Sequence, residues 1–167
     1  MHSSLNIERI REGFQLLKDW DQRYQFLIDL GAKLTPMDDS DKTDANRVHA
    51  CMSLVWITTR LDTEQPSRVT LLGDSETATI KGIVAVLVTL YSGKTAAEIA
   101  DLDADVVFDE LGLFDHLSPT RHVGVYAMVE HIKRQAFKAG ECAEPGLADT
   151  AWPSRWRSRA QGRRRAG

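Results

Sequence analysis

The sequence has few cysteines, no long hydrophobic run and no acidic residue near its C-terminal end. Its 167 residues include only Cys51 and Cys142, which is too few for a disulfide framework, so we expect free thiols in a cytoplasmic protein. The longest mainly apolar stretch, residues 82–90, is far too short to span a bilayer. Because the first ten residues lack the apolar core of a signal peptide, we expect neither export nor membrane attachment.

Charge is unevenly distributed along the chain. Residues 151–167 hold six of the 21 basic residues and no acidic one, whereas residues 1–150 carry a net charge of −9. An acidic body repels phosphate, which argues against general nucleic-acid binding. Residues 141–167 lack hydrophobic periodicity, so we predict a single domain over residues 1–140 and a disordered basic tail over 141–167. Whether the arginines and tryptophans of this tail bind an anionic surface stays open.

Hydrophobic spacing predicts helices, then strands, then helices again. Apolar residues recur at helical spacing over residues 7–17 and 20–28, with Asp19 as the N-cap of the second helix. Alternating and β-branched residues predict strands over 48–61 and 68–72, joined by a hairpin connection, and a short strand at 47–49.

Later helices have recognisable starts. We predict that they begin at Gly73–Ser75, Thr95, Asp103 and Ser118. Because the strands are segregated from the helices, the pattern favours an α+β fold with a small antiparallel sheet over a wound parallel sheet.

Cys51 has the most distinctive chemistry in the sequence. A thiolate is a strong nucleophile, and an imidazolium such as that of His49 lowers the pKa of a nearby thiol. His49 lies on the same side as Cys51 only if the backbone between them is extended. From the residues alone a buried structural cysteine is favoured, because free cysteine is among the most buried residue types. A metal site is disfavoured, because these two residues leave a tetrahedral ion two ligands short.

Other polar residues carry weaker signals. No GxSxG, HExxH or P-loop motif is present, so the patterns do not indicate a hydrolase. Asp74 taken alone is typical of a helix N-cap. Lys81 and Gly82 follow within the predicted helix, where glycine is less favourable than alanine by about 1 kcal/mol, so we expect a close packing partner there. Arg121 opposes the dipole of the helix that begins at Ser118, which hints at a specific partner.

Four segments taken together resemble one family. In chain order they are Trp20-x-x-Arg23-Tyr24, the stretch VHACMSLVW over 48–56, Gly73–Glu76 with Lys81-Gly82, and HLSPTR over 116–121. They are similar to the corresponding motifs of the SufE-type cysteine desulfuration proteins. Each segment alone is a weak signal, but four in register over residues 20–130 are specific.

The resemblance implies a curved antiparallel sheet packed on one side by helices, as in IscU-type scaffolds. It implies that Cys51 accepts persulfide sulfur from a cysteine desulfurase (SufS-like or CsdA-like), stimulates that enzyme, and passes sulfur to an iron–sulfur scaffold complex. The chain would be a carrier and activator rather than a turnover enzyme, without a cofactor of its own, since pyridoxal phosphate belongs to the desulfurase. Asp74, Arg121, His49 and Lys81 would orient Cys51 or contact the partner. Trp56 is a candidate apolar shield for the persulfide.

Two neighbours of Cys51 depart from the family pattern. Ala50 stands where glycine is usual, and Met52 stands where glutamine is frequent. An alternative is therefore a module of the same fold that binds a desulfurase without accepting sulfur. An iron–sulfur scaffold is a further alternative, but it has too few thiolates here. A homodimer through a helix face is also left open.

Overall fold

The computed structural model describes residues 5–62 and 67–141, in which seven α-helices and two strands lie. In chain order they are α1 (Ile7–Leu16), α2 (Trp20–Ala32), β1 (Val55–Leu61), β2 (Val69–Ser75), α3 (Ala78–Tyr91), α4 (Ala96–Asp101), α5 (Ala104–Glu110), α6 (Leu113–His116) and α7 (Pro119–Glu141). The predicted α+β class is confirmed. Within the described ranges, no helix combines the length and hydrophobicity that a bilayer span requires.

The sheet is an antiparallel pair of seven-residue strands. Val55 lies opposite Ser75 at one end, and Leu61 lies opposite Val69 at the other. Alternate residues of β2 and of the first part of β1 are buried, as expected where one face of a sheet covers a core. β2 packs on α3 and β1 packs on α7, so the helices cover the buried face.

The first strand begins later than the sequence predicts. It starts at Val55, and the predicted start at Val48 is wrong because residues 48–54 bend. Within this bend the N–H of Cys51 donates to the carbonyl of Val48, with an N–O distance of 3.3 Å. The short strand predicted at 47–49 is reduced to one isolated bridge between Arg47 and Trp56.

The second strand is longer than predicted, so the helix that follows it begins later than predicted. Burial alternates through Gly73 to Ser75, so Asp74 lies on β2. The prediction that Asp74 is a helix N-cap is therefore wrong. Thr77 is the N-cap, and α3 begins at Ala78.

α3 forms the centre of the core. Its residues are buried almost continuously, because it contacts α2 on one side and β2 on the other. The backbones of α2 and α3 approach so closely that a Cβ on Gly31 would lie 2.8 Å from the backbone nitrogen of Gly82. The close packing partner expected for Gly82 is confirmed.

The remaining helices start close to the predicted positions. Thr95 forms a reciprocal capping box with Glu98 before α4, and α7 begins at Pro119, directly after Ser118. The four-residue helix α6 was not predicted. The predicted tail over 141–167 lies outside the described residues except for Glu141, so the domain boundary stays a prediction.

Candidate functional site

Cys51 lies on the turn before β1 and packs against α7. A Cβ at Gly124 would lie 3.1 Å from the Cys51 sulfur and 3.8 Å from its Cβ. The thiol therefore occupies space that any other residue at position 124 would partly fill. The half-buried Cys51 side chain also contacts the edge of the hydrophobic core.

Burial determines the protonation of this thiol. Removal from water raises the pKa of Cys51 above its ordinary value, and a backbone hydrogen bond at Ser53 offsets only part of that rise. The resting side chain is therefore a protonated thiol at neutral pH. A nucleophilic thiolate requires that the turn open or that a partner change its surroundings.

His49 does not activate the thiol in this arrangement. Its Nε2 atom lies 3.2 Å from the Asp44 carbonyl oxygen and 3.3 Å from an Asp44 carboxylate oxygen. The turn at residues 48–51 also removes the extended backbone that would place His49 and Cys51 on the same side. That His49 orients the turn or contacts a partner stays a prediction.

The surface around the thiol is partly apolar. Met52 is 86% exposed, and Val123, next to Gly124, is 45% exposed. Arg121 is also exposed and lies three residues before Gly124, which places it on a neighbouring part of α7. These exposed side chains are close in sequence to Cys51 or to the Gly124 that it contacts.

Asp74 and Lys81 are brought together in the structure. One Asp74 oxygen lies 3.1 Å from Lys81 Nζ, and the other lies 3.1 Å from Lys42 Nζ. Burial raises the pKa of Asp74, but hydrogen bonds from Lys81 and Lys42 outweigh this effect, so its pKa lies below the ordinary value. This ion-pair cluster joins the loop that leads to Cys51 with β2 and α3.

Trp56 belongs to the ion-pair side of the sheet. It pairs with Asp74 across the strands, and Lys42 Nζ lies 5.7 Å from the centre of its ring. Trp56 alternates with the buried Val55 and Ile57, so it lies on the face away from the core. The shielding role expected for Trp56 stays a prediction.

Two motifs far apart in sequence form one structural contact. The Trp20 ring stacks on the His116 ring with centroids 3.5 Å apart, and the Arg23 guanidinium lies 5.0 Å from the centre of the Trp20 ring. The Tyr24 hydroxyl donates to the His116 carbonyl oxygen. These contacts fix the chain just before α7, and so position the helix that carries Gly124.

Sequence reasoning missed two members of the site. Lys42 lies in a polar loop whose composition gave no signal for a salt bridge. Gly124 lies three residues beyond the 116–121 segment, and its contact with Cys51 depends on packing across 73 residues. Among the described residues, no group of three or more His, Cys, Asp or Glu side chains is placed to hold a metal ion.

The fold and site define a class: an α+β protein that carries one half-buried thiol on a turn between a small sheet and a long helix. Residues 8–136 match a family described as SufE, an Fe–S metabolism associated domain. The chain belongs to this SufE family, and its domain is associated with iron–sulfur metabolism.

Relatives and a solved structure agree with this assignment. The chain is 36% identical over 133 residues to an uncharacterised SufE-like protein of Rhizobium meliloti, which covers 78% of the chain and 94% of the relative. It is 38% identical to an uncharacterised SufE-like protein of Rhizobium etli, covering 78% and 89%. A hypothetical protein from Thermus thermophilus, solved in solution, has the same fold, with a TM-score of 0.65 at 21% identity over 80% of the chain and 94% of that protein.

Proposed function

We propose that this chain accepts sulfane sulfur on Cys51 from the persulfide of a pyridoxal-phosphate-dependent cysteine desulfurase. The Cys51 thiolate attacks the outer sulfur of the donor's Cys–S–SH group. A new S–S bond forms on Cys51, the donor's S–S bond breaks, and the donor cysteine leaves as a thiolate. The proton stays with the transferred sulfur, so no external oxidant or reductant is required.

One observation carries the proposal: Cys51 is a half-buried thiol on a turn, seated against a glycine of α7 in a chain of the SufE family. A protonated, partly covered thiol is protected from adventitious oxidation. A turn is also an element that can move without unfolding the core, and this one is only half-buried at Cys51. Docking of the donor would expose the sulfur and favour its thiolate.

The proposed role is that of a carrier. Sulfur would leave Cys51 for an iron–sulfur scaffold, and removal of the enzyme's persulfide would raise the turnover of the desulfurase. The transfer uses cysteine chemistry alone, so the chain would need no cofactor of its own. Asp74, Lys81, His49 and Arg121 would hold the turn or contact the donor.

The test is intact-mass measurement after incubation of the reduced full-length protein with a cysteine desulfurase and cysteine. We expect a gain of one sulfur atom, about 32 Da, that is reversed by reductant. Cys51→Ser should abolish the gain, and the matched control Cys142→Ser should retain it.

Two results would contradict the proposal. Retention of the gain in Cys51→Ser would place the sulfur elsewhere. Stimulation of the desulfurase by both wild type and Cys51→Ser, without any mass gain, would instead support a module that binds the enzyme but does not accept sulfur.

A further inference from the structure

A groove extends from the Cys51 turn along α7. It has a volume of about 540 Å³ and lies between residues 44–50 and the second half of the helix. Ala50 and Ala127 line it at the thiol end, and Lys138 lines it at the far end. The 11 residue-to-residue steps from 127 to 138 correspond to about 16 Å of helix, which matches about five residues of extended chain.

The far end of this α7 groove is positively charged, although the body of the chain is acidic. Arg134 and Lys138 lie one helical turn apart, line the groove and are exposed. Within residues 5–62 and 67–141, neither forms an ion pair. Both side chains are therefore open to an acidic partner at the far end, although the carboxylates of Asp44 and Glu130 also line the groove.

The walls of the groove also hold unmet hydrogen-bonding capacity. Arg47 Nε and Gln135 Oε1 are buried, and neither has a hydrogen-bond partner in the described part of the chain. One is a donor and the other an acceptor, and both residues line the groove. An extended backbone offers both complementary groups, and it reaches these two buried atoms once the Arg47 and Gln135 side chains move.

We infer that the α7 groove binds an acidic, extended segment of the protein that delivers sulfur to Cys51. The inference rests on the proposed function. The segment would lie with its acidic side chains at Arg134 and Lys138 and with its other end at Ala50, beside the thiol. Docking would therefore align the donor through charges remote from the reacting atoms.

The test is the double charge reversal Arg134→Glu with Lys138→Glu in the full-length chain. The matched control, Lys18→Glu with Lys33→Glu, makes the same change in net charge at exposed residues flanking α2. We expect the groove variant to need about tenfold more protein for half-maximal sulfur uptake from a cysteine desulfurase. This difference should shrink at high salt, where charges are screened.

Two further measurements separate docking from chemistry. The alkylation rate of Cys51 by iodoacetamide should be the same in wild type and the groove variant, because neither substituted residue touches the thiol. Binding of the desulfurase to Cys51→Ser, which cannot transfer sulfur, should weaken about tenfold when the groove charges are reversed.

The outcomes distinguish the two hypotheses. If wild type takes up sulfur and the groove variant matches it, or if the control loses as much, the groove inference is wrong and the proposed function stands. If reversal of the groove charges weakens binding of the desulfurase but no sulfur is transferred to wild type, the proposed function is wrong and the groove inference stands. If no desulfurase binds at all, the groove inference is overturned.

Discussion

Two glycines of this chain make close contacts with opposite kinds of neighbour. At Gly82 an added Cβ would meet the Leu27 carbonyl, with the carbonyl carbon 2.7 Å away. At Gly124 it would meet the Cys51 sulfur, 3.1 Å away. The first neighbour is backbone inside a helix, whereas the second is the tip of a side chain on a turn.

This contrast separates a rigid scaffold from a movable site. Backbone in α2 cannot yield without breaking helical hydrogen bonds, so the Gly82 contact fixes how α2 and α3 pack. A turn held by few contacts can shift at a lower free energy. The same residue type therefore supports the core at one position and receives the reactive sulfur at the other.

The largest effect should follow Gly82→Ala. The new methyl group would collide with backbone that cannot move, so we expect a loss of about 3 kcal/mol in the free energy of unfolding. The better helix propensity of alanine offsets only about 1 kcal/mol of the cost of this collision. Urea unfolding followed by circular dichroism measures the loss. A smaller loss than for Gly124→Ala would show that α2 and α3 can separate easily.

Gly124→Ala should leave stability nearly unchanged but expose the thiol. The crowding at the sulfur and the gain in helix propensity, about 1 kcal/mol, oppose each other. The turn, rather than α7, should yield, so we expect iodoacetamide to modify Cys51 several-fold faster. Gly124→Val should enlarge the effect. An unchanged alkylation rate in both variants would contradict the idea that the turn moves.

A double-mutant cycle checks that the sulfur causes this effect. In a Cys51→Ala background the remaining Cβ would lie at an ordinary contact distance, 3.8 Å. Gly124→Ala should then stabilise the fold by up to about 1 kcal/mol. Equal effects in both backgrounds would mean that the contact between residues 51 and 124 is energetically irrelevant.

The sequence predicted the scaffold better than the site. Helical spacing placed the start of α1, and the N-caps Asp19 and Ser118 placed the starts of α2 and α7 within one residue, because these signals are local. The strand start at Val48 was wrong because apolar residues such as Ala50, Met52 and Leu54 continue through a turn. Strand propensity cannot detect this bend. The bend is held by the hydrogen bond from the Cys51 N–H to the Val48 carbonyl and by the packing of Cys51 against α7.

The site was only partly predictable for a related reason. The family motifs identified Cys51, Asp74 and Lys81, and the structure brings the last two together. The contacts of Gly124 and Lys42 join residues far apart in the chain. Such long-range contacts leave no local pattern, so neither could be assigned from spacing.

A modest loss of stability should follow Asp74→Asn, which tests the link between the scaffold and the Cys51 loop. Asp74 is 17% exposed and pairs with both Lys42 and Lys81, so loss of its charge should remove about 1 kcal/mol of stability at neutral pH. The matched control Asp109→Asn changes an exposed carboxylate on α5 and should stay within about 0.5 kcal/mol.

The pH dependence of Asp74→Asn gives the sharper measurement. The folded state lowers the pKa of Asp74, so the folded carboxylate holds its charge at pH values where the unfolded one is already protonated. Its contribution to stability is complete above the unfolded pKa, about 3.9, and is lost as the pH falls through the folded pKa. The difference in unfolding free energy between wild type and Asp74→Asn should therefore be constant from about pH 7 to about pH 5 and narrow below about pH 4, by the same linkage. A difference that persists unchanged in acid would show that the substituted amide disrupts packing rather than charge, and the cluster would then belong to the rigid scaffold alone.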